Sequence, residues 1–495
     1  MSGTQCKLLT GITSAMLFLC LLFTSAQAEQ SSVPITTKSK QARELYLRGM
    51  VKLENLHAEE AFQDFHKAVQ LDRDFALANL IISFPTVDPT AEPAEQLAAR
   101  DRAKAARDKV SNGEKLMIDW VAESSEGHMI SAIQSMNAVL GQYPRDKHLL
   151  WLVGVWIENQ QEMERAITIF ERAMKVDPTF AAPLNEAAYC YARQRMFDKA
   201  FAAMKRYTTL LPNEPNPHDT YAEILRMAGH FDDAINEYRA SLKIDPGFVE
   251  SQIGIADTYA LMGEEARARS EYAVAIQHAR SKMQAATWSL NSAVSFVRER
   301  DYSSADAAFR AVAQQAHEND LAVIEAEAYR MMSAYQTDSA VAFQLLEQAD
   351  AGLHEKHQVP PAALQQELAL VLRERASRAA REGNIALASA TVAKLQQISE
   401  SSHDQLVSLA WHGAAGAMLV AQQKYQEALS HLEEDDRNLN SLKLMVIANQ
   451  NLGHKDAASQ ISKKLATWNE PTLEHALISS EFRPKETAGS SFRRM

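Results

Sequence analysis

Glycine and proline are both scarce, at 17 and 15 of 495 residues. That scarcity argues against a fold of short strands joined by many tight turns and suits long helices. Cysteine is nearly absent. Cys6 and Cys20 lie close to the N-terminus, within an apolar leader, and Cys190 is the only other cysteine. Once the leader is removed no internal disulfide can form, so stability rests on packing. Cys190 sits in an apolar stretch, Ala187-Ala188-Tyr189-Cys190-Tyr191-Ala192, which reads as a buried structural thiol. An excess of basic residues is also missing. Lys and Arg number 51 against 63 acids, a net charge of −12, and this removes the electrostatic footprint of a nucleic-acid binder.

Signatures of chemistry are missing as well. The sequence holds no glycine-rich phosphate loop, no nucleophile elbow and no kinase signature set. His354-Glu355-Lys356-His357 places its second histidine one residue too early for a zinc-binding helix face, where ligands stand at i and i+4. It reads as a solvated helix end. His412, beside Trp411, has no partner pattern and reads as a surface or packed histidine. No catalytic residue, metal ligand or cofactor site is expected.

What is present starts with a leader. Lys7 is followed by an apolar run over residues 8–23, and Ala26-Gln27-Ala28 supplies small residues for cleavage before Glu29. Residues 1–28 are therefore expected to be a signal peptide, giving a periplasmic or secreted protein. The alternative is an uncleaved membrane anchor, although the run is slightly short for a span. Cys20 follows Leu19, so the small residue that a lipidation signal needs is missing. Removing the leader takes away one lysine and no acid, moving the net charge from −12 to −13. No later segment is apolar enough to cross a bilayer.

The body of the chain is periodic. Ala132, Ala166, Ala200, Ala234 and Ala268 stand 34 residues apart. Each is followed four residues on by a large side chain (Met136, Phe170, Met204, Tyr238, Tyr272), and Pro144, Pro178, Pro212 and Pro246 close the first four units. Twelve residues before the later alanines lie Gly154, Ala188, Ala222 and Ala256, while Gly229 and Gly263 lie five before theirs. The small residues permit close helix crossing, the +4 and +7 positions share one buried face, and proline ends the second helix. A unit containing Gly49, Ala61, Phe65 and Ala68 fits further upstream. Looser copies follow at Ala305 and Ala342, then at Ala388, Ala428 and Ala458.

These residues resemble the tetratricopeptide repeat (TPR) family. The resemblance implies an all-α fold, with helix-turn-helix repeats stacked into a right-handed superhelix and the first helix of each pair lining a concave groove. The expected organisation is a flexible linker over 29–40, a TPR array over 41–280 with an insert near 85–93, degenerate TPR-like repeats over 281–478, and a flexible tail over 479–495. In the family's register the groove is lined by Trp151, Glu158 and Asn159, then by Asn185, Tyr189 and Arg193. The next helix supplies Asn216, Asp219, Glu223 and Arg226, and the last supplies Glu250 and Asp257. The carboxylate clamp of chaperone-binding TPR domains does not transfer, because Trp151, Val155, Glu250 and Gly254 stand at its positions.

The expected function is an exported scaffold that binds a protein or peptide in its concave groove. One alternative is an accessory subunit of an envelope assembly, in polysaccharide export or outer-membrane biogenesis. Others are an enzyme with an unrecognised site in 281–470, whose sign would be a deep pocket with converging acids and histidines, and a structural spacer. The sequence specifies neither the partner nor an oligomeric state.

Overall fold

The computed structural model describes residues 32–55, 57–84 and 91–483. The expected signal peptide, residues 484–495 and the proline-rich positions 85–90 lie outside them. Twenty-five α-helices, one 3-10 turn (Arg107–Lys109) and no strands are present among the described residues. Twelve helical hairpins follow one another, with a single helix at the end. They are α1 (Lys40–Glu54) with α2 (Ala58–Leu71), α3 (Ala76–Ile82) with α4 (Pro93–Ala106), α5 (Asn112–Glu126) with α6 (Met129–Gln142), and α7 (Lys147–Asn159) with α8 (Met163–Val176). Next come α9 (Ala182–Arg193) with α10 (Phe197–Leu210), α11 (Pro215–Ala228) with α12 (Phe231–Ile244), α13 (Val249–Met262) with α14 (Glu265–Gln277), and α15 (Lys282–Glu299) with α16 (Tyr302–Glu318). The last four are α17 (Ala322–Tyr335) with α18 (Ser339–Leu353), α19 (Pro361–Arg381) with α20 (Ile385–Ser402), α21 (Gln405–Ala421) with α22 (Tyr425–Leu432), and α23 (Leu439–Asn451) with α24 (Lys455–Ala466), before α25 (Leu473–Phe482).

The repeat residues explain the stacking. All five alanines of the strict series, with Ala61, Ala305, Ala342, Ala388 and Ala428, are fully buried, and so are the Phe65, Phe170 and Phe309 rings four residues on. Gly154 faces the Phe170 ring so closely that a Cβ there would lie 2.3 Å from it, and Gly49 stands 2.7 Å from Phe65 in the same sense. Between hairpins, Gly254 meets the Tyr238 ring at 2.2 Å. These are positions where the interior is close-packed and a methyl group has no room.

In nine of the hairpins the turn repeats its backbone geometry even where its sequence does not. The position five residues before the buried alanine has a left-handed φ at Gly127, Gln161, Arg195, Gly229, Gly263, Arg300, Gly383, Gln423 and Gly453. Only the glycines at these places announce themselves in the sequence. Gln161, Arg195, Arg300 and Gln423 adopt the same conformation at a steric cost that the flanking helices over-determine.

Hairpin packing passes from α14 onto α15 and onward, so residues 281–466 continue the solenoid. Two expected boundaries differ. Residues 32–39 form a pinned extended strap: Val33 N–H donates to Asp146 (2.8 Å), Thr36 bonds Glu114 through its N–H (2.8 Å) and its hydroxyl (2.6 Å), and Thr37 donates to Asp72 (2.6 Å). The sequence misses this because its acceptors lie 35 to 113 residues away. At the other end, residues 479–482 belong to α25, where His475, Ile478 and Ser479 are buried. That helix has no 34-residue signature because it pairs with no second helix.

We expect Gly154→Ala to lower stability by about 1–3 kcal/mol, since the rigid Phe170 ring must move. Gly141, near the end of α6, has nothing within 4 Å of an added Cβ. Gly141→Ala is expected to be neutral or to stabilise by up to about 1 kcal/mol. Thermal melts of the two variants check this, and equal melting temperatures would contradict it.

Candidate partner-binding groove

The inner surface is built from the first helices of successive hairpins. A period of 34 places side chains of one such helix beside those of the next, and a polar ladder results. Arg193 on α9 donates to Glu158 on α7 (3.0 Å). Asn185 on α9 accepts from Thr220 (2.6 Å) and Asn216 (3.2 Å) on α11, while Asn216 also donates to the Tyr207 oxygen (2.7 Å). Tyr189 donates to Glu223 (3.0 Å), and Ser251 on α13 donates to Asp219 on α11 (2.6 Å). Arg226 donates to Glu223 (2.9 Å) and to Asp257 (3.4 Å), which also accepts from the Tyr272 hydroxyl.

The ladder sorts the sequence-predicted residues into two groups. Trp151, Asn185, Asn216, Asp219, Arg226 and Asp257 are buried between repeats, and, Trp151 apart, their side chains bond neighbouring helices. Tyr189, Arg193 and Glu223 keep part of their surface toward the interior space, with the Arg193 side chain 39% exposed. Asn159 is exposed but bonds its own helix at the Val155 carbonyl (2.9 Å), and Glu250 pairs with Arg280 (3.2 Å). Tyr189, Arg193, Glu223, Arg226 and Asp257 together line a cavity of about 400 Å³.

The opposite wall of that cavity comes from a region that sequence reasoning did not place there. Gln161 and Arg437 face it, and so do Trp468, Glu470, Pro471 and Thr472, from the irregular segment between α24 and α25. The C-terminal half therefore curls back toward the N-terminal half. Arg437 donates to the Gln161 carbonyl (2.7 Å), Arg195 to Thr467 (2.9 Å) and Asn469 to the Met227 carbonyl (3.3 Å). The long helix α19 also reaches α5. A second cavity adjoins the first, and a third adjoins the second. The second, of about 510 Å³, shares Gln161 and Arg437 with the first. The third, of about 330 Å³ and lined by Val121, Trp156 and Pro360 among others, meets the second at Val323 and Leu406.

Burial shapes the electrostatics. It pushes the Asp219 carboxyl up to about 8, against the Ser251 hydrogen bond. Burial likewise raises Glu158 and Glu186, which repel one another near Arg193. Burial also raises the Cys190 thiol far above its ordinary value, in keeping with a structural cysteine. Burial works against the charge of Arg226, yet Tyr238, Glu223 and Asp257 hold it firmly protonated. Its Nε has no hydrogen-bond acceptor.

The 281–470 region does contain a deep cavity with acids, but the two most buried are ion-paired. Glu367 meets Arg330 at 2.7 Å and Asp435 meets Arg373 at 2.5 Å, and no histidine lines the space. His354 pairs with Asp350 (3.1 Å), whereas His357 bonds Asp320 (2.8 Å) and the Gly352 carbonyl (2.7 Å), so the two do not converge. His412 lies tilted against Trp411 and His431, with ring centroids 4.5 and 5.1 Å away. Among the described residues one group, Glu123, Glu126 and His128, has ligand atoms within 4.8 Å of one another. Lys104 at 2.6 Å already neutralises Glu126 there. No helix among the described residues is long and apolar enough to cross a membrane.

Compared with known proteins, the sequence matches no family model and no curated protein. Solved structures similar to it include a tetratricopeptide repeat protein from Parabacteroides merdae, at 13% identity over 63% of this chain and 99% of that one, with a TM-score of 0.37. The APC/C hetero-tetramer Cut9-Hcn1 aligns at 14% identity over 91% and 81% of the two chains, with a TM-score of 0.43. PilW, a type IV pilus biogenesis factor, aligns at 15% identity over 48% and 92%, with a TM-score of 0.28. At such identities and TM-scores these likenesses carry no argument, and the solenoid of helical hairpins is read from the helices themselves.

The buried acids set a pH dependence. An acid raised on folding leaves stability fully present below its unfolded value, near 4 for Asp219, and withdraws it as pH rises through the folded value of about 8. The melting temperature is therefore expected to fall between pH 5 and pH 8. Asp219→Asn, whose amide oxygen still accepts from Ser251, should flatten that slope. An unchanged slope in differential scanning calorimetry would contradict the assignment.

Proposed function

We propose that this chain is a binding scaffold that holds an extended protein or peptide segment along the inner face of its first helices. The observation that carries the reading is the cavity of about 400 Å³ at which Tyr189, Arg193, Glu223, Arg226 and Asp257 converge. It joins an aromatic anchor to fixed charges of both signs, the composition with which interfaces recognise backbone and side chains together. The converging groups serve recognition: the acids there are held by arginines or hydroxyls, and no activated nucleophile accompanies them. Export through the residue 1–28 leader is part of the proposal, placing the scaffold in the periplasm or outside the cell. Service as an accessory subunit of an envelope assembly would use the same groove and differ only in partner.

The test is affinity capture from an envelope fraction, using chain expressed with its leader and checked by intact mass for a start at Glu29. Wild type is compared with Tyr189→Ala/Arg193→Ala and with Lys175→Ala, an exposed control on α8. We expect a partner retained by the control and reduced at least about tenfold by the groove variant, a loss of about 1.4 kcal/mol. A partner held equally by all three would move the site off the groove.

A further inference from the structure

The groove is not empty in this fold. Between α24 and α25 the chain runs without helix through Thr467-Trp468-Asn469-Glu470-Pro471-Thr472, and this segment lies across the groove's open side. Trp468 and Asn469 are buried. The space left between the segment and Ala192, Arg193, Phe197 and Met227 is about 10 Å³, too small for more than one water. Asn469 reaches the Met227 carbonyl, and Thr467 accepts from Arg195. A non-helical stretch that bonds the backbone of α11 and the turn after α9, with proline excluding helix, has the form of a bound peptide.

Charge points the same way. Arg193 is paired with Glu158 and Arg226 with Glu223 and Asp257, whereas Arg437 bonds the Gln161 carbonyl and has no carboxylate partner among the described residues. Glu470 brings the segment's own carboxyl to this wall. Burial raises its carboxyl above the ordinary range, and Arg193 and Arg226 are the cations that oppose the rise. Neither closes an ion pair with it, and Arg226 Nε lacks an acceptor. The segment thus satisfies the site incompletely, and space of about 400 Å³ remains beside it. A ligand with better-placed carboxylates gains contacts that the resident segment does not make.

We infer that Thr467–Thr472 is an internal occupant of the groove, standing where an acidic, extended partner segment binds, so that the partner must displace it. This rests on the groove reading given above and adds the partner's chemistry and the gate. Displacement need not unfold the solenoid. Trp468 packs with Leu465 and Ile478 in the last apolar cluster, and Arg298 and Arg483 bond the Thr472 and Trp468 carbonyls, so displacement opens this end of the solenoid locally and leaves the preceding hairpins in place. A resident segment lowers apparent affinity by the fraction of time the groove is open.

The test uses the full mature chain and a fluorescein-labelled peptide of residues 466–473, read by fluorescence anisotropy. Wild type is compared with Trp468→Ala/Glu470→Gln. We expect the variant to bind the peptide at least about tenfold more tightly than wild type, matching a groove closed about nine-tenths of the time. A peptide whose glutamate is replaced by glutamine should bind several-fold more weakly, and adding Arg193→Ala should remove the difference between the two peptides. Equal binding by wild type and variant would overturn the gate while leaving the groove reading intact. No binding by a variant that melts like wild type would overturn the acidic-segment chemistry, and the capture experiment would then judge the groove by itself. Should the double variant fold poorly, Glu470→Gln alone carries the same comparison.

Discussion

In most hairpins a small residue in the middle of the first helix decides how near the second helix can lie. At Gly154 and Gly49 the space that a methyl group would need is taken by the Phe170 and Phe65 rings. At Ala188, Ala222 and Ala256 a methyl group is what fits, and it is fully buried. Where this approach repeats, the first helices of successive hairpins stand side by side. In a solenoid each unit contacts mainly its neighbours, and a constant local geometry becomes a continuous inner surface. The polar ladder is a direct consequence. Arg193 finds Glu158, Asn185 finds Thr220 and Tyr189 finds Glu223 because residues 34 or 35 apart face one another across adjacent inner helices.

That surface carries opposing demands. Carboxylates such as Glu158 and Asp219 are drawn into a low-dielectric seam where burial favours their protonated form. Hydrogen bonds from Ser251 and an ion pair from Arg193 offset part of the cost. Side chains fully engaged in this seam give the wall its shape, while Tyr189, Arg193 and Glu223, which engage one side only, are left to meet a ligand. The wall and the recognition surface are the same row of residues viewed from two sides.

The fold was largely legible in the sequence because its determinants are local and repeated. Alanine, a large residue four on and a closing proline recur at one spacing, and the described hairpins from α5 to α14 follow it. The turn conformation was legible only where glycine fills it; Gln161 and Arg195 adopt it under the pressure of the flanking helices. The groove register was partly legible. It named the correct face, but spacing alone does not separate Asn185, consumed between repeats, from Tyr189, which faces the cavity. The return of the C-terminal half was not legible at all. Arg437 with Gln161, and Asn469 with Met227, are more than 240 residues apart, and pairing at such separation leaves no periodic trace. Pro360-Pro361 and the Trp468-to-Pro471 stretch mark the breaks that permit the return without indicating its direction.

Central to the account is a groove already occupied by its own chain, and hydrogen–deuterium exchange over residues 467–472 addresses it most directly. The measurement compares amide exchange of this segment in the intact chain with the free peptide of the same sequence at one pH. A seated segment exchanges at least about tenfold more slowly than the free peptide, because exchange must wait for local opening. Exchange at the free-peptide rate would mean that the segment does not rest in the groove, and the closed inner surface described here would be wrong.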